Sequence, residues 1–423
     1  MKKPKKNYWE ERSRMSNIPK LRFPEFSGEW EEKKLSDIAS FSKGKGYTKN
    51  DLVKNGTPIV LYGRMYTKYE TVISDIDTFV NLQVGSIISK GGEIIVPASG
   101  ETAEEISRAS VVKNKGIILG GDLNILSLQK DKYNPEFFAL TISSGTSQKR
   151  LSKLAQGKSV VHLHNEDLSG LQIKVPSLAE QQKIADFLSN VDSIITAETK
   201  ILNALQKKKK ALMQKLFTRQ LRFKSDDGKD FPAWEEKKLG ECVKKVCVGF
   251  VGVCEQFYTD KSGIPMYRTG NLKNGKVNKL DLKYVTKEFH EKNIKSQLQK
   301  YDILIARHGE NGQASLYNYD EQANCLNIVI VRPNEELAFH NYLINCINSD
   351  FVRKEVSRKT AGSTQSVINT KAIEGLIIPI PCKAEQQKIA DCLSSIDSLI
   401  QTQQKVVTTW QHRKKALLQQ MFI

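Results

Sequence analysis

Two stretches of the chain repeat apolar residues at alternating spacings of four and three positions. They lie within residues 177–217 and 382–421, and neither contains proline or glycine. Alternation of four and three places the apolar side chains on one face of an α-helix, as in the heptads of coiled coils. Each stretch therefore predicts a helix of about forty residues, or ~60 Å at 1.5 Å per residue.

The apolar face of each predicted helix forms a seam suited to helix pairing or to docking of a partner. Two polar residues interrupt each seam at corresponding positions, Glu198 and Lys209 in the first helix and Gln403 and Lys414 in the second. One helix joins two globular parts and the other ends the chain, so we expect an antiparallel coiled coil. The main seam residues are Ile184, Leu188, Val191, Ile195, Leu202, Leu205, Ile389, Leu393, Ile396, Ile400, Val407 and Trp410.

The chain contains two copies of one unit, offset by about 205 residues. AEQQKIADFLSNVDSII at 179–195 returns as AEQQKIADCLSSIDSLI at 384–400, and WEEKKL at 30–35 returns unchanged at 234–239. Between these anchors the two copies barely resemble each other. This contrast indicates that the repeated part meets the same partner twice, whereas the divergent parts meet two different targets.

The divergent parts mix short β-rich runs with helical segments, which favours the α+β fold class. The β-rich runs lie at 86–89, 92–96, 303–305 and 327–331, and the helical segments lie at 134–143 and 338–348. Glycine, asparagine and aspartate turns separate them. The predicted organisation is an extension at 1–18, a globular domain at 19–176, a long helix at 177–218, a globular domain at 219–381 and a long helix at 382–423.

Charge and composition indicate a polyanionic partner. The chain carries 65 Lys and Arg against 47 Asp and Glu, a formal net charge of +18. In the globular parts, basic residues alternate with aromatic and amide residues that could contact phosphates or base edges. The candidate DNA-binding residues are Lys43, Lys45, Tyr47, Lys49, Arg64, Tyr66, Lys68, Lys158, His162, Tyr267, Arg268, Asn271, Lys273, Arg307, His308, Asn311, Gln313, Thr364 and Gln365.

Other features argue against a membrane or secreted protein. No apolar stretch is long enough to span a bilayer, and no apolar segment follows the basic residues 1–14. All seven cysteines fall in the second half at spacings typical of neither a disulfide framework nor a zinc site. We expect a cytoplasmic protein that binds no metal.

No complete catalytic motif is found in the sequence. Gly157-Lys158-Ser159 carries the end of a phosphate-binding loop, but Ser152 stands where its first glycine belongs. Asp230, Glu235 and Lys237 could suggest a nuclease, yet the first copy has no equivalent of Asp230. We interpret the WEEKKL segment as a packing or docking motif, and Ser177 with Glu180 as a capping box at the start of the first long helix.

The doubled pattern P-x-x-x-E-Q-Q-K-I-A-x-x-L-x-x-x-D, each followed by a heptad helix, resembles the specificity subunits of type I restriction-modification systems. The resemblance covers nearly the whole chain. It implies two target-recognition domains that each read half of a bipartite, asymmetric site in double-stranded DNA. It also implies that the paired helices set the spacer and dock two modification (methyltransferase) subunits, and that restriction subunits supply translocation and cleavage.

The resemblance further implies that S-adenosylmethionine, ATP and Mg belong to the partner subunits, and that this chain binds no cofactor and performs no catalysis. Two other interpretations stay open at this point. A stand-alone DNA-binding or bridging scaffold would bind DNA tightly without an enzyme partner. A nuclease with an unrecognised active site would cut DNA in a metal-dependent reaction.

Overall fold

The computed structural model describes residues 17–129, 131–155, 157, 160–273, 275–307, 314–360 and 368–423. Its residues divide into two compact units. Unit 1 comprises Met1–Thr199 with Val406–Ile423, and unit 2 comprises Lys200–Lys405. Each unit contains one globular domain and parts of both long helices.

Unit 1 is built on two five-stranded sheets and two strand pairs. The first sheet has the strand order Ala39–Lys43, Leu123–Leu128, Glu93–Pro97, Ser110–Val112, Val72–Ile73. The second has the order Leu52–Val53, Phe79–Val80, Thr57–Val60, Lys115–Leu119, Ile88–Lys90. Glu31–Lys34 pairs with Gln172–Val175, and Val161–His162 pairs with Ser99–Gly100. The helices of the globular part are Arg64–Thr67, Ala103–Ile106, Pro135–Ile142, Gly145–Leu154 and Asn165–Ser169, with 3-10 turns at Leu35–Asp37 and Lys49–Asp51.

Unit 2 has a six-stranded sheet, a four-stranded sheet and one strand pair. The larger sheet has the order Val243–Val248, Ile328–Pro333, Ile303–Ala306, Ala314–Leu316, Lys276–Val277, Leu272–Lys273. The smaller has the order Tyr258–Thr259, Lys283–Val285, Ile264–Tyr267, Asn324–Cys325, and Glu235–Lys238 pairs with Ile377–Ile380. The helices are Lys287–Lys292, His340–Ile347, Asp350–Thr360 and Thr370–Glu374, with 3-10 turns at Leu239–Glu241, Glu255–Phe257, Thr269–Asn271 and Ile294–Ser296.

The two globular parts share two features of their topology despite their divergent sequences. In each, the WEEKKL segment forms a strand that pairs antiparallel with the last strand before a long helix. In each, one strand lies between an antiparallel and a parallel neighbour, Thr57–Val60 in unit 1 and Ile264–Tyr267 in unit 2. The α+β fold class predicted from the sequence is confirmed.

The first long helix spans Leu178–Phe217 and the second spans Lys383–Met421. In unit 1, Ile184 and Leu188 share a hydrophobic core with Met421 and Phe422. In unit 2, Leu216 and Phe217 share a core with Ile389 and Leu393. In both units, early residues of one helix therefore meet late residues of the other, which confirms the antiparallel pairing.

The two lysines that interrupt the seams form ion pairs across the helix pair. In unit 2, Lys209 Nζ lies 2.7 and 2.8 Å from the two carboxylate oxygens of Asp397. In unit 1, Lys414 Nζ lies 2.6 Å from Asp192 Oδ1, and Thr71 Oγ1 joins this pair from the globular domain. Asp397 and Lys414 are the repeat equivalents of Asp192 and Lys209, so the same bridge is built once in each unit.

The ion pairs favour one register of the helices. A slip of one heptad would place Gln404 or Ala390 where Asp397 now meets Lys209. A half-buried ammonium group without its carboxylate is unfavourable, as is known for polar residues at coiled-coil seams. The pairs thus act against slippage of the two helices.

Replacement of Lys209 by aspartate should lower the free energy of unfolding of unit 2 by about 1–2 kcal/mol, because two carboxylates would then face each other. The double variant Lys209→Asp/Asp397→Lys should recover most of this loss. Thermal unfolding followed by circular dichroism measures both. The matched control is Lys208→Asp, at the exposed neighbouring position; equal losses for Lys208→Asp and Lys209→Asp would contradict a specific pair.

A buried glutamate at the start of each long helix fastens the globular domain to it. Glu180 accepts two hydrogen bonds of 2.7 Å from the Arg22 guanidinium and one of 3.3 Å from the Trp30 indole N–H. These hydrogen bonds raise the pKa of Arg22. The Ser177 hydroxyl caps the helix by accepting from the Glu180 N–H, but the Glu180 side chain meets Arg22 and Trp30. The predicted capping box is therefore half correct.

Unit 2 repeats this arrangement with Glu385, which is fully buried. Its carboxylate accepts from Arg222 at 2.7 and 3.1 Å and from the Trp234 indole N–H at 2.7 Å. The tryptophan of the WEEKKL segment and the glutamate of the EQQKIA segment thus bind each other in both copies. WEEKKL is a packing motif.

Candidate nucleic-acid interface

Unit 1 contains a cleft at the end of the strand Thr57–Val60 that gathers five of the residues predicted to bind DNA. We call it the first cleft; its volume is about 1140 Å³. The chain leaves the strand through Leu61, Tyr62 and Gly63 into a short helix, and the neighbouring loops close the other sides. The predicted residues that line it are Tyr47, Lys49, Arg64, Tyr66 and Lys68.

Arg64 is a structural residue, so its assignment as a DNA contact is corrected. Its side chain is only 8% exposed. The guanidinium donates to Asp77 at 2.6 Å, to Glu70 at 2.7 Å and to the carbonyl of Asp75 at 2.8 Å. These bonds hold the wall of the first cleft and leave little of the guanidinium for a base.

The other residues of the first cleft differ in what they offer to a ligand. Lys49 and Lys68 are exposed, and Lys68 Nζ lies 3.6 Å from Asp77. The Tyr66 hydroxyl donates to the carbonyl of Ser99 at 2.7 Å, and burial raises its pKa. Tyr62, which the sequence analysis did not select, is exposed and packs edge-on against Tyr66. The lysines can contact phosphates and the tyrosine faces can contact bases.

The first cleft also carries acidic side chains that the search for basic and aromatic residues missed. Asp77, Glu101, Glu105 and Asp122 all line it. A carboxylate can accept a hydrogen bond from the exocyclic amino group of cytosine in the major groove. The charge pattern gave no signal for them, because acidic residues are scattered throughout the sequence.

Unit 2 has a smaller cleft of about 470 Å³ at the end of the corresponding strand, Ile264–Tyr267. We call it the second cleft. Arg268, Asn271 and Lys273 of the predicted set line it, together with Asn278, Asp281 and Asn327, which the sequence analysis did not select. Arg268 donates to the carbonyl of Asp281 at 2.8 Å, and Lys273 is exposed.

Two predicted residues of unit 2 are corrected to structural roles. Tyr267 is fully buried, packs edge-on against Tyr317, and donates its hydroxyl hydrogen to Glu321 at 3.0 Å. Asn271 is 3% exposed and bonds the backbone of Arg268 and Leu280. Asn271 ties together backbone that lines the second cleft, whereas Tyr267 packs in a hydrophobic core of unit 2.

The remaining predicted residues lie apart or outside the described residues. Lys43 and Lys45 are exposed near the first cleft, and His162 is exposed with its ring Nδ1 3.2 Å from the Ser99 hydroxyl. Arg307 donates to the carbonyl of Ile368 at 3.2 Å. The predicted residues outside the described part of the chain are Lys158, His308, Asn311, Gln313, Thr364 and Gln365.

The seam residues lie inside the chain's own packing, which corrects their use as a partner-docking surface. Ile184, Leu188, Val191, Leu202, Ile389, Leu393 and Val407 are buried, and Ile195, Leu205, Ile396, Ile400 and Trp410 are half-buried. They pair the helices and anchor the domains.

Different apolar residues of the long helices are partly exposed. Phe187 and Ile194 of unit 1 are 36% and 37% exposed, and each directly precedes a seam residue. The Phe187 ring also packs edge-on against Phe23. Their repeat equivalents in unit 2 are Cys392, which is half-buried, and Leu399, which is 56% exposed. We call these two pairs the helix patches. Each pair is seven residues apart and therefore lies on one helix face.

Among the described residues, no three or more histidine, cysteine or acidic residues are grouped so that they could hold a metal ion. In the same residues, no helix is both long enough and apolar enough to cross a membrane.

Comparisons with known proteins match most of the length of the chain. The family model for the type I restriction modification DNA specificity domain matches twice, at residues 27–207 and 233–409. The type I restriction enzyme MjaVIII specificity subunit of Methanocaldococcus jannaschii is 26% identical over 94% of this chain and 92% of its own length. The MjaIX specificity subunit of the same organism is 26% identical over 74% of this chain and 73% of its own length.

A solved structure shares the fold. The S subunit of a type I restriction-modification system from M. genitalium superimposes with a TM-score of 0.59 at 15% identity, covering 96% of this chain and 99% of that one. The two family-model matches together cover well over half of the chain. The chain therefore belongs to the family of type I restriction modification DNA specificity domains, and it carries that domain twice.

Proposed function

We propose that this chain directs a type I restriction-modification complex to a bipartite, asymmetric DNA sequence. As a specificity subunit, it binds DNA, assembles with other subunits of such a complex and contributes recognition, not catalysis. The observation that carries the proposal is the pair of clefts at corresponding strand ends. Because their polar side chains differ, the two clefts suit different base edges. Each domain therefore reads one half of the site.

The long helices set the distance between the two half-sites. Both are continuous, with 40 residues in the first and 39 in the second. Each is fastened to a domain by a buried glutamate, and the ion pair in each unit opposes slippage. A continuous helix has a fixed rise per residue, so its length translates into a fixed spacer.

The helix patches dock two modification subunits, one on each patch. The support is their duplication, since Phe187 and Ile194 have repeat equivalents in Cys392 and Leu399. Exposed apolar residues at heptad spacing suit an amphipathic helix of a partner. A scaffold that served no enzyme would have no need for two equivalent patches.

The partner subunits bring the chemistry in this proposal. The modification subunits bind S-adenosylmethionine and methylate adenine, and restriction subunits use ATP and Mg for translocation and cleavage. A methyltransferase must take its target base out of the duplex. This chain fixes which base that is.

Mapping of adenine methylation by long-read sequencing tests the function, in a host that carries this gene with its modification partner. Deletion of the gene should abolish methylation of one split motif, and the lost motif gives both half-sites. Unchanged methylation in that host would refute the proposal. It would favour the stand-alone DNA-binding scaffold, which predicts tight DNA binding by the isolated chain and no copurifying methyltransferase.

Introduction of a charge into one helix patch should remove one modification subunit from the complex. Ile194→Asp and Leu399→Asp should each weaken docking at their own patch by about 30-fold, the scale of a lost interface anchor of ~2 kcal/mol. The double variant should bind neither copy. Mass photometry of the copurified complex measures the stoichiometry.

Ser193→Asp is the matched control, because Ser193 is exposed and adjacent to Ile194 on a different helix face. Two bound modification subunits in the Ile194→Asp/Leu399→Asp variant would show that docking occurs elsewhere on the chain.

A further inference from the structure

Unit 1 presents a protruding apolar loop beside the first cleft. In the loop at residues 81–86, Val84 is fully exposed (107%) and Leu82 is 58% exposed. Isolated exposed apolar residues are common on protein surfaces. Here two of them share one loop tip, which we call the apolar tip, and a dedicated set of hydrogen bonds holds that tip in shape.

Tyr47 provides the support. Its hydroxyl lies 2.6 Å from the Ser86 hydroxyl, accepts from the Gln83 N–H at 2.9 Å and donates to the carbonyl of Asn81 at 3.3 Å. Tyr47 itself has a left-handed backbone with φ 62°, a conformation that a bulky residue adopts only where its surroundings hold it. Specific hydrogen bonds from Tyr47 therefore hold the protruding loop in one conformation.

The segment that supports the apolar tip is rich in lysine. Lys43, Lys45 and Lys49 are all exposed on the segment that carries Tyr47. Lys45 reaches the tip, with its Nζ 3.6 Å from where a side chain on Gly85 would begin. The acidic residue on that segment, Asp51, already accepts two hydrogen bonds from Thr48. Asp77, four residues before the loop, is paired with Arg64 and Lys68.

Unit 2 also exposes apolar residues beside its own cleft. The segment after strand Val243–Val248 exposes Val251 (60%) and Val253 (77%). It is held by Phe250, whose ring packs against Phe289 at 4.9 Å and whose carbonyl accepts from the N–H of Asn327 in the second cleft. Each domain thus exposes two apolar side chains on a segment next to its cleft.

We propose that the apolar tip enters a groove of the DNA half-site read by unit 1, with Leu82 and Val84 against the bases and the lysines on the flanking phosphates. A convex apolar tip needs a concave partner, and the three exposed lysines on the supporting segment favour a polyanion. Apolar side chains contact thymine methyl groups in the major groove or wedge between base steps in the minor groove. This inference rests on the proposed function and adds a specificity-determining element to it.

The test uses the full chain assembled with its modification subunits and a duplex that carries the split motif found by methylation mapping. Fluorescence anisotropy should give about tenfold weaker binding for Leu82→Ser/Val84→Ser, the scale of one lost base contact. The dependence of binding on salt should not change, because no phosphate contact is removed. Lys45→Ala/Lys49→Ala should instead lower the salt slope by roughly two.

A double-mutant cycle locates the contact. On a duplex with the unit 1 half-site scrambled, Leu82→Ser/Val84→Ser should cause no further loss, whereas scrambling the other half-site should leave the tenfold effect intact. Val251→Ser/Val253→Ser should show the opposite pattern. Leu178→Ser, at an exposed position at the start of the first long helix, is the control for general loss of surface apolar area.

The outcomes separate the two proposals. Failure of the unaltered complex to bind the split motif would overturn the proposed function and the tip with it. Normal binding by the unaltered complex together with normal binding by Leu82→Ser/Val84→Ser would overturn the tip alone. Loss of the modification subunits from that variant would also overturn it, by making the tip a protein-docking surface.

Discussion

Replacement of Glu385 by alanine should lower the free energy of unfolding of unit 2 by about 3 kcal/mol, the usual scale for breaking a buried ion pair. The carboxylate is fully buried and is bonded at 2.7 Å by both the Arg222 guanidinium and the Trp234 indole N–H. Without it, Trp234 has a buried donor with no acceptor, and Arg222 loses the partner that raises its pKa.

Two further variants serve as controls for the loss of the Glu385 carboxylate. Glu385→Gln keeps an oxygen that can accept from Trp234 but removes the charge opposite Arg222. Its free energy of unfolding should therefore lie between those of the parent and of the alanine variant. Glu180→Ala should destabilise unit 1 somewhat less, because the indole of Trp30 donates over a longer distance of 3.3 Å. Thermal unfolding monitored by tryptophan fluorescence reports on both sites. A loss below 1 kcal/mol for Glu385→Ala would mean that the cores alone fasten the domain.

The long helices could be predicted from the sequence because their periodicity is local and repeated. The residues that pair with the seam lysines could not be predicted in this way. Asp397, which pairs with Lys209, directly follows the seam residue Ile396 and therefore lies outside the apolar pattern. Only the three-dimensional pairing of helices distant along the chain brings the two charges together.

The same limit applies to the buried glutamates. Ser177 and Glu180 fit a local capping box, yet the carboxylate of Glu180 binds Arg22, which is 158 positions away. An ion pair with a guanidinium is stronger than a bond to a neutral backbone N–H. Local sequence patterns identify side chains that take part in specific hydrogen bonds, whereas burial and distant partners decide what those side chains bind.

The candidate interface was predicted as a region and not as a set of residues. Clustering of Lys49, Arg64, Tyr66 and Lys68 correctly indicated side chains that line one cleft. It could not separate the exposed lysines from Arg64, whose ion pairs with Glu70 and Asp77 make it part of the wall. The sequence did offer one signal for a structural role of Arg64: Glu70 and Asp77 lie close to it along the chain, and a buried arginine requires such carboxylate partners.

Insertion of one heptad into both long helices should lengthen the DNA spacer by about three base pairs. Seven residues add ~10.5 Å of helix at 1.5 Å per residue, and one base pair occupies ~3.4 Å. Suitable places are after Ala197 and after its repeat equivalent Thr402, which are both exposed and lie between the two ion pairs. Leucine at the first and fifth inserted positions continues the seam.

The two-helix insertion preserves both ion pairs, because Asp192 with Lys414 and Lys209 with Asp397 each lie on one side of the inserted heptads. Four residues inserted after Ala197 alone add ~6 Å to one helix only, so both pairs cannot keep their register. We expect that variant to lengthen the spacer by one or two base pairs and to unfold at a lower temperature. Methylation mapping gives the spacer directly. An unchanged spacer in an active complex with both heptads inserted would refute the proposal that the long helices set the distance between the half-sites, since the partner subunits would then set it.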